Sequence, residues 1–203
     1  MQRILEKKER ALGVKLFLKA ERCASGKCAS VKRPYKPGPH TKSFRKVSEF
    51  GKQLSEKQKV RFSYLLTEKQ MRAYFEEANR SKEPTREAFM RLLESRLDNF
   101  IFRAGLVGSR RVAKQVIGHG HIMLNGRKAT IPSISVKPGY RISIRPESVD
   151  HPVFKELDAR FKNFEAPTWI KLDKEKKVAD VASYPKGVDM SFDMDQVVNY
   201  YLK

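Results

Sequence analysis

Cysteine is scarce in this sequence, and long apolar runs are absent from it. Cys23 and Cys28 are the only cysteines among the 203 residues, too few for a disulfide framework. No apolar stretch is long enough to cross a bilayer, and Met1 does not begin the charged-then-apolar pattern of a secretory signal. We therefore expect a protein of a reducing, cytoplasmic compartment that has no membrane partner.

Little in the sequence points to catalysis. There is no glycine-rich cofactor loop, no Cys/His cluster with catalytic metal spacing and no nucleophile beside a clear base. His119 and His121 flank Gly120 at the end of a predicted helix, where helix-end or binding roles are favoured over acid–base chemistry. We expect no enzyme, no cofactor and no small-molecule substrate.

Acidic residues are too few to balance the basic ones. Lys and Arg total 43 against 23 Asp and Glu, which gives a formal net charge of +20. Such a surplus repels itself unless a polyanion neutralises it, so a nucleic acid is the expected partner. The net charge is +10 over residues 1–50, +4 over 51–93, +8 over 94–145 and −2 over 146–203. The polyanion should therefore contact the first three quarters of the chain.

What the sequence does contain is arranged in three predicted parts. Residues 1–52 form a basic N-terminal arm with a short helix, because the stretch Arg33-Pro-Tyr-Lys-Pro-Gly-Pro-His40 cannot bury a core by itself. Residues 53–93 and 146–203 form a helical domain with C-terminal strands, and residues 94–145 form an α+β module inserted into it. The alternative for the arm is a solvated terminus that binds nothing.

Helix signals are clear in the helical part. Ser55 and Thr67 each begin a capping-box pattern that ends in Gln, and Thr85 is the expected cap of a third helix. The predicted helices span about 55–65, 67–80, 85–104 and 152–164. Near the end, Asp193 or Asp195 is predicted to cap a last helix, after strands at 169–172 and 178–184. Arg96, Asn99 and Arg103 share an arc of the third helix that is expected to face outward.

The module has its own local signals. Ser109 is predicted to cap a helix over 109–118 that clusters Arg110, Arg111 and Lys114 on its polar face. Asn125-Gly126 between short alternating runs predicts a two-residue hairpin. Two further short strands are predicted at Ser133–Val136 and Arg141–Ile144. Helices and hairpins this close together predict a compact α+β unit.

The module closely resembles the S four RNA-binding domain. The matching residues run in order through Glu94-Ser-Arg-Leu-Asp98, Arg103-Ala-Gly105, Ser109-Arg-Arg111, Gly118-His-Gly-His-Ile122, Leu124-Asn-Gly126 and Val136-Lys-Pro-Gly139. The resemblance implies two helices packed on a small antiparallel sheet. The predicted RNA contacts of the whole chain are Arg33, Lys36, His40, Lys42, Arg45, Lys46, Lys52, Lys57, Lys59, Arg61, Arg96, Arg103, Ser109, Arg110, Arg111, Lys114, His119, His121, Asn125, Arg127 and Lys128.

Segments outside the module resemble the small-subunit ribosomal protein S four family. They are Leu16-Phe-Leu-Lys19, the proline-rich run before His40, Leu54-Ser-Glu-Lys-Gln-Lys59, Pro167-Thr-Trp169 and Asn199-Tyr-Tyr-Leu-Lys203. The resemblance implies direct binding of small-subunit rRNA, an early role in assembly, contacts with small-subunit ribosomal proteins five and three, and a place near the mRNA channel. It places Arg45 and Lys46 beside that channel.

Two alternatives stay open. An RNA-modifying enzyme can carry the same domain, but the 58 residues after position 145 are expected to be too few for its catalytic part. A free RNA-binding chaperone or translational repressor is the other alternative. Some bacterial members of the family have four N-terminal cysteines that resemble a zinc site, whereas here Glu6 and Glu9 stand in place of the first pair. Zinc on Cys23 and Cys28 is therefore not expected.

Overall fold

The computed structural model describes residues 6–16, 18, 26–39, 47–162, 164–187 and 192–202. The predictions for Cys23, His40, Lys42, Arg45 and Lys46 lie outside these residues. By its internal packing the chain divides into two units, Met1–Arg86 with Asp189–Lys203, and Glu87–Val188.

Nine α-helices and five β-strands lie within the described residues. The helices are α1 Glu6–Leu12, α2 Ala29–Lys32, α3 Glu49–Ser63, α4 Glu68–Asn79, α5 Thr85–Glu94, α6 Leu97–Arg103, α7 Arg110–Gly118, α8 Leu157–Lys162 and α9 Met194–Tyr201. The strands are β1 Ile122–Leu124, β2 Arg127–Ala129, β3 Arg141–Ile144, β4 Ile170–Asp173 and β5 Val178–Val181. The predicted α+β class is confirmed. Among the described residues no helix is long and apolar enough to span a membrane.

Local capping signals explain several helix starts in the first unit. Thr67 and Gln70 form the predicted capping box at the start of α4. Asp193 caps α9, where its Oδ1 accepts hydrogen bonds from the backbone N–H groups of Asp195 and Gln196. The predicted start at Ser55 is wrong, because Ser48 already caps α3 by accepting from Gly51 N at 3.2 Å. Ser55 therefore lies inside the helix.

The third predicted helix is in fact two helices, α5 and α6. Between them the backbone pairs with the segment that was predicted as the strand Ser133–Val136. Leu97 N donates to Ile134 O at 2.8 Å, and Val136 N donates to Ser95 O at 2.7 Å. That segment forms only an isolated bridge between Ser135 and Arg96. The helix breaks because these backbone groups bond to a distant segment instead of to the preceding turn.

One antiparallel sheet runs through the second unit, in the order β2-β1-β3-β5-β4. Asn125 and Gly126 both have positive φ, 50° and 78°, as the predicted two-residue hairpin between β1 and β2 requires. β3 pairs with β5, with Ile142 opposite Ala179, so the C-terminal strands belong to the same sheet as the hairpin. The packing unit therefore extends well beyond the predicted 94–145 module.

The core of the second unit lies between this sheet and the helices. α6 contributes Leu97, Phe100 and Ile101, and α7 contributes Ala113, Val116 and Ile117, all at most 2% exposed. Trp169, just before β4, meets Phe100 edge to face with ring centroids 5.6 Å apart. This packing fixes α7 by its apolar side and leaves its other side to carry charge.

Candidate nucleic-acid interface

The polar side of α7 is the centre of the candidate interface. Ser109 Oγ accepts a hydrogen bond from Val112 N at 3.3 Å, so this predicted RNA contact is the helix cap and is 7% exposed. The sequence of α7, RRVAKQVIG, holds three cations and no acid. Since Ala113, Val116 and Ile117 bury the apolar side, the cations Arg110, Arg111 and Lys114 lie on the remaining surface. Arg111 is exposed.

Two of these cations are oriented by residues of α6. Arg110 Nε donates to Asn99 Oδ1 at 2.8 Å, and its guanidinium carbon lies 4.5 Å from the centre of the Phe102 ring. Lys114 Nζ lies 3.5 Å from Asp98 Oδ2. Burial lowers the pKa of Lys114 below its ordinary value, against the opposing effect of Asp98. Arg110 and Lys114 are thus held in place before any ligand arrives.

The arc of Arg96, Asn99 and Arg103 does not face outward as predicted. Arg96 is 3% exposed and binds Asp98 through two hydrogen bonds of 3.0 and 2.8 Å, and Asn99 is fully buried. The Arg103 side chain keeps 26% exposure and binds both oxygens of the buried Glu94, at 3.0 and 2.9 Å.

The prediction of an outward arc is wrong for Arg96 and Asn99, and the sequence held a signal for it. Glu94 and Asp98 are the only acids between residues 94 and 145. A buried charge needs a partner. These two acids share one predicted helix with Arg96, Asn99 and Arg103. This indicates a cluster in which the charges are paired, rather than an arc of side chains that faces solvent.

The β1–β2 hairpin carries two more exposed cations, Arg127 and Lys128. Asn125 holds the turn to β3, since its N–H donates to Arg141 O and its Oδ1 accepts from Arg141 N, both at 2.8 Å. That role is structural. Lys128 Cε lies only 2.0 Å from where a Cβ on Gly120 would stand, so the Lys128 side chain runs across the end of α7. We call Arg110, Arg111, Lys114, Arg127 and Lys128 the α7–hairpin face.

The predicted histidine contacts lie at the same end of α7. His119 is the exposed C-cap residue of the helix. His121 is half-buried, its Nδ1 lies 2.9 Å from Ser148 Oγ, and its ring centroid is 4.7 Å from that of His151. Burial lowers the pKa of His121 below 6.5, and His151 and His119 lower it further. Burial and the neighbouring cations thus disfavour the charged form of His121.

The cations of α3 that were predicted to contact RNA form ion pairs with carboxylates. Lys57 Nζ donates to Glu68 Oε1 at 3.0 Å, Lys59 Nζ binds Glu56, and Arg61 lies 3.5 Å from Glu68. Their side chains are 6%, 16% and 26% exposed, respectively. Lys52, also predicted, is paired with Glu49 at 3.2 Å on an open surface. Lys57, Lys59 and Arg61 take part in the packing of the first unit, whereas Lys52 lies at its surface.

Arg33 and Lys36 are exposed in the described part of the arm. Arg10 Nε donates to Arg33 O at 2.9 Å, and the Arg10 guanidinium lies over the Tyr35 ring at 5.0 Å. The backbone of this stretch is therefore tied to α1, while its two cations point to solvent.

Glu6 and Glu9 each give one carboxylate oxygen to backbone donors. Glu9 is fully buried, and its Oε1 accepts from Leu16 N at 3.0 Å and Leu18 N at 3.2 Å. Glu6 Oε2 accepts from Ala29 N at 3.3 Å. These contacts tie α1 to the backbone at Leu16, Leu18 and Ala29. Within the described ranges no group of three or more His, Cys, Asp or Glu could hold a metal ion.

Comparison with known proteins shows the family of this chain. Two family models match the chain, "Ribosomal protein S4/S9 N-terminal domain" over residues 4–94 and "S4 domain" over residues 95–142. A protein of Pelotomaculum thermopropionicum, described as "Small ribosomal subunit protein uS4", is 47% identical over 173 residues, which cover 85% of this chain and 83% of that protein.

Relatives of the same description match still more of the chain. The protein of Heliobacterium modesticaldum is 44% identical and covers 91% of this chain and 88% of its own length. The protein of Trichlorobacter lovleyi is 44% identical over 94% of this chain and 92% of its own. The resemblance inferred from the motifs is confirmed. The chain belongs to the uS4 family of small ribosomal subunit proteins.

Proposed function

We propose that this protein binds small-subunit rRNA through the α7–hairpin face and serves as a structural component of the small ribosomal subunit. The observation that carries this proposal is the composition of α7, which has three cations and no acid and is fixed on its other side by the core. Its relatives are described as small ribosomal subunit proteins, which supports rRNA as the polyanion.

The face suits recognition of RNA shape rather than RNA sequence. Lys and Arg neutralise phosphates, and a rigid helix and hairpin hold those charges at set positions. A-form RNA hides its base edges in a deep groove, so folded RNA is recognised mainly by its backbone. Each phosphate contact releases counterions, which makes affinity fall steeply with salt. Binding should therefore depend on both RNA structure and ionic strength.

The finer role follows from the family and stays a proposal. We infer that the protein binds rRNA early and helps to organise the body of the subunit, beside small-subunit ribosomal proteins five and three. Arg33 and Lys36, both exposed, and the basic residues that follow them extend the contact along the arm. A position near the mRNA channel would let the protein influence translational accuracy. The cytoplasm is the compartment that this role implies.

A salt titration with competing RNAs tests the proposal. Purified protein would be bound to naked small-subunit rRNA between about 50 and 200 mM salt, with tRNA and large-subunit rRNA as competitors. We expect tight binding that survives competition, with a salt slope that corresponds to several phosphate contacts. Equal affinity for every RNA would overturn the proposal and favour a general RNA chaperone.

A further inference from the structure

We propose that Asn99 is a positioning residue for RNA binding. It holds the Arg110 guanidinium in one orientation, and that orientation lets the α7–hairpin face distinguish a folded RNA from an unstructured polyanion. The inference rests on the proposed RNA-binding function and deepens it. Asn99 itself is fully buried and touches no ligand, so its effect on binding passes through Arg110.

The hydrogen bonds of Asn99 fix which way its amide points. Its Nδ2 donates to two acceptors of Glu94, the backbone O at 3.0 Å and the side-chain Oε2 at 2.7 Å. Both amide hydrogens are thereby used. Oδ1 must then point the other way, toward α7, where Arg110 Nε donates to it at 2.8 Å. The amide cannot flip without setting an NH2 group against the guanidinium.

Glu94 is in turn held from a second side. It is fully buried, and its two carboxylate oxygens accept from Arg103 Nε at 3.0 Å and from Arg103 NH2 at 2.9 Å. The contacts therefore run from Arg103 through Glu94 and Asn99 to Arg110, across α5, α6 and α7. A buried network whose members are all bonded keeps a single arrangement.

Arg110 is constrained by two independent contacts. Asn99 bonds its Nε, and Phe102 supports its plane at 4.5 Å from the ring centre. A guanidinium is a planar fork that binds phosphate oxygens in pairs, so its orientation matters as well as its charge. Immobilising a long side chain before binding is worth a change in affinity of about 2- to 12-fold.

The residue type at position 99 matters because its side chain must both donate to Glu94 and accept from Arg110. Aspartate would set a second carboxylate about 2.7 Å from that of Glu94, where two like charges repel. Leucine has similar size but neither a donor for Glu94 nor an acceptor for Arg110. Only a side chain that donates on one side and accepts on the other joins a buried carboxylate to a guanidinium.

The decisive variant keeps the positive charge at position 110 and removes the planar guanidinium group. Lysine carries the same charge but has neither the planar fork nor the Nε that Asn99 binds. We expect Arg110→Lys to weaken binding to small-subunit rRNA by about 5- to 10-fold, close to the loss in Arg110→Ala. Binding to poly-uridine should change by less than about two-fold.

Arg72→Lys is the control for the substitution itself, because Arg72 is an exposed arginine on α4, outside the α7–hairpin face. We expect it to bind both RNAs within about two-fold of the wild type. The proposal is overturned if Arg110→Lys binds small-subunit rRNA as the wild type does, or if Arg72→Lys loses as much affinity as Arg110→Lys.

A double-mutant cycle separates positioning from simple destabilisation. Asn99→Ala should weaken rRNA binding by about 5- to 10-fold in the wild type and by less than about two-fold once Arg110 is alanine. An equal loss in both backgrounds would show that Asn99 acts only through stability. If Asn99→Ala does not fold, the Arg110→Lys comparison decides alone. Wild-type protein without preference for rRNA over poly-uridine would instead refute the proposed function.

Discussion

Helix α3 carries four cations and helix α7 carries three, and the fold uses the two sets differently. In α3, Lys57, Lys59 and Arg61 all lie against carboxylates, supplied by Glu56 on the same helix and by Glu68 on α4. In α7 the helix itself has no acid: Lys114 lies 3.5 Å from Asp98 of α6, Arg110 is bonded to the uncharged Asn99, and Arg111 is exposed. Both sets were predicted to contact RNA.

The difference shows that the position of the acids matters more than the number of bases. A cation paired with a partly buried carboxylate contributes to folding, and a polyanion must break that pair before it gains the charge. An exposed cation such as Arg111 or Arg127 has mainly water and counterions to lose. The α7–hairpin face is therefore the better candidate for RNA binding, although Lys114 lies near Asp98 and α3 carries four cations.

The largest expected effect comes from removing the α7 cations together. The triple variant Arg110→Ala, Arg111→Ala, Lys114→Ala should weaken binding to small-subunit rRNA by roughly 100-fold and lower the salt slope by about 3. Filter binding across a salt titration would measure both, and circular dichroism would check the fold. A collapse of thermal stability instead would mean that these side chains serve the core.

The second-largest expected effect tests the claim that the cations of α3 contribute to folding rather than to RNA binding. Lys57→Ala removes the partner of Glu68 and the ammonium that lies 4.5 Å from the Tyr200 ring. We expect a loss of about 2 kcal/mol in the free energy of unfolding, measured in urea. Affinity for rRNA at a temperature where the variant is folded should stay within about two-fold of the wild type. A large loss of affinity with unchanged stability would contradict the comparison.

Single substitutions test the contrast between the cations of α7 and those of α3 further. Arg111→Ala should weaken rRNA binding by about 3- to 8-fold and reduce the salt slope by about 1, as expected for one phosphate contact. Lys59→Ala, whose side chain is 16% exposed and paired with Glu56, is the matched variant and should change neither quantity. Equal effects in the two variants would remove the distinction between paired and exposed cations.

The smallest expected effect is a dependence of stability on pH. Burial alone would raise the pKa of Glu68, but hydrogen bonds from Lys57 and Tyr201 and the charges of Lys57 and Arg61 lower it below 4.5. Its contribution is therefore complete above pH 4.5 and is lost as pH falls through the lowered pKa of the folded state. Glu68→Gln should flatten the dependence of unfolding free energy on pH in that range. An unchanged slope would contradict this assignment.

Local chemistry explains what the sequence predicted correctly. The capping box at Thr67, the caps at Ser109 and Asp193, and the turn at Asn125-Gly126 each depend on residues within a few positions of one another. The clustering of Arg110, Arg111 and Lys114 on α7 follows from helical spacing in the same way. Such signals survive in the fold because nothing distant competes with them.

Distant partners explain what the sequence did not predict. The apolar stripe of Leu93, Leu97 and Phe100 continues through the break between α5 and α6, so spacing alone gives one helix. The break depends on backbone bonds to residues 132–136, which no local pattern shows. The run Ser95-Arg-Leu-Asp98 does match a helix-start pattern. It was the one sign in the sequence that a new helix begins at this point. The buried network around Asn99 depends on the same break.

The pairing of β3 with β5 has a consequence for how this module can be used. A fragment ending at residue 145 would leave β3 as an open edge and would uncover Phe100, which Trp169 now covers. An unpaired edge beside exposed aromatic surface invites self-association. Residues 94–145 alone are thus not an independent RNA-binding domain in this protein. A fusion of this domain to another protein would need to include the residues up to Val181.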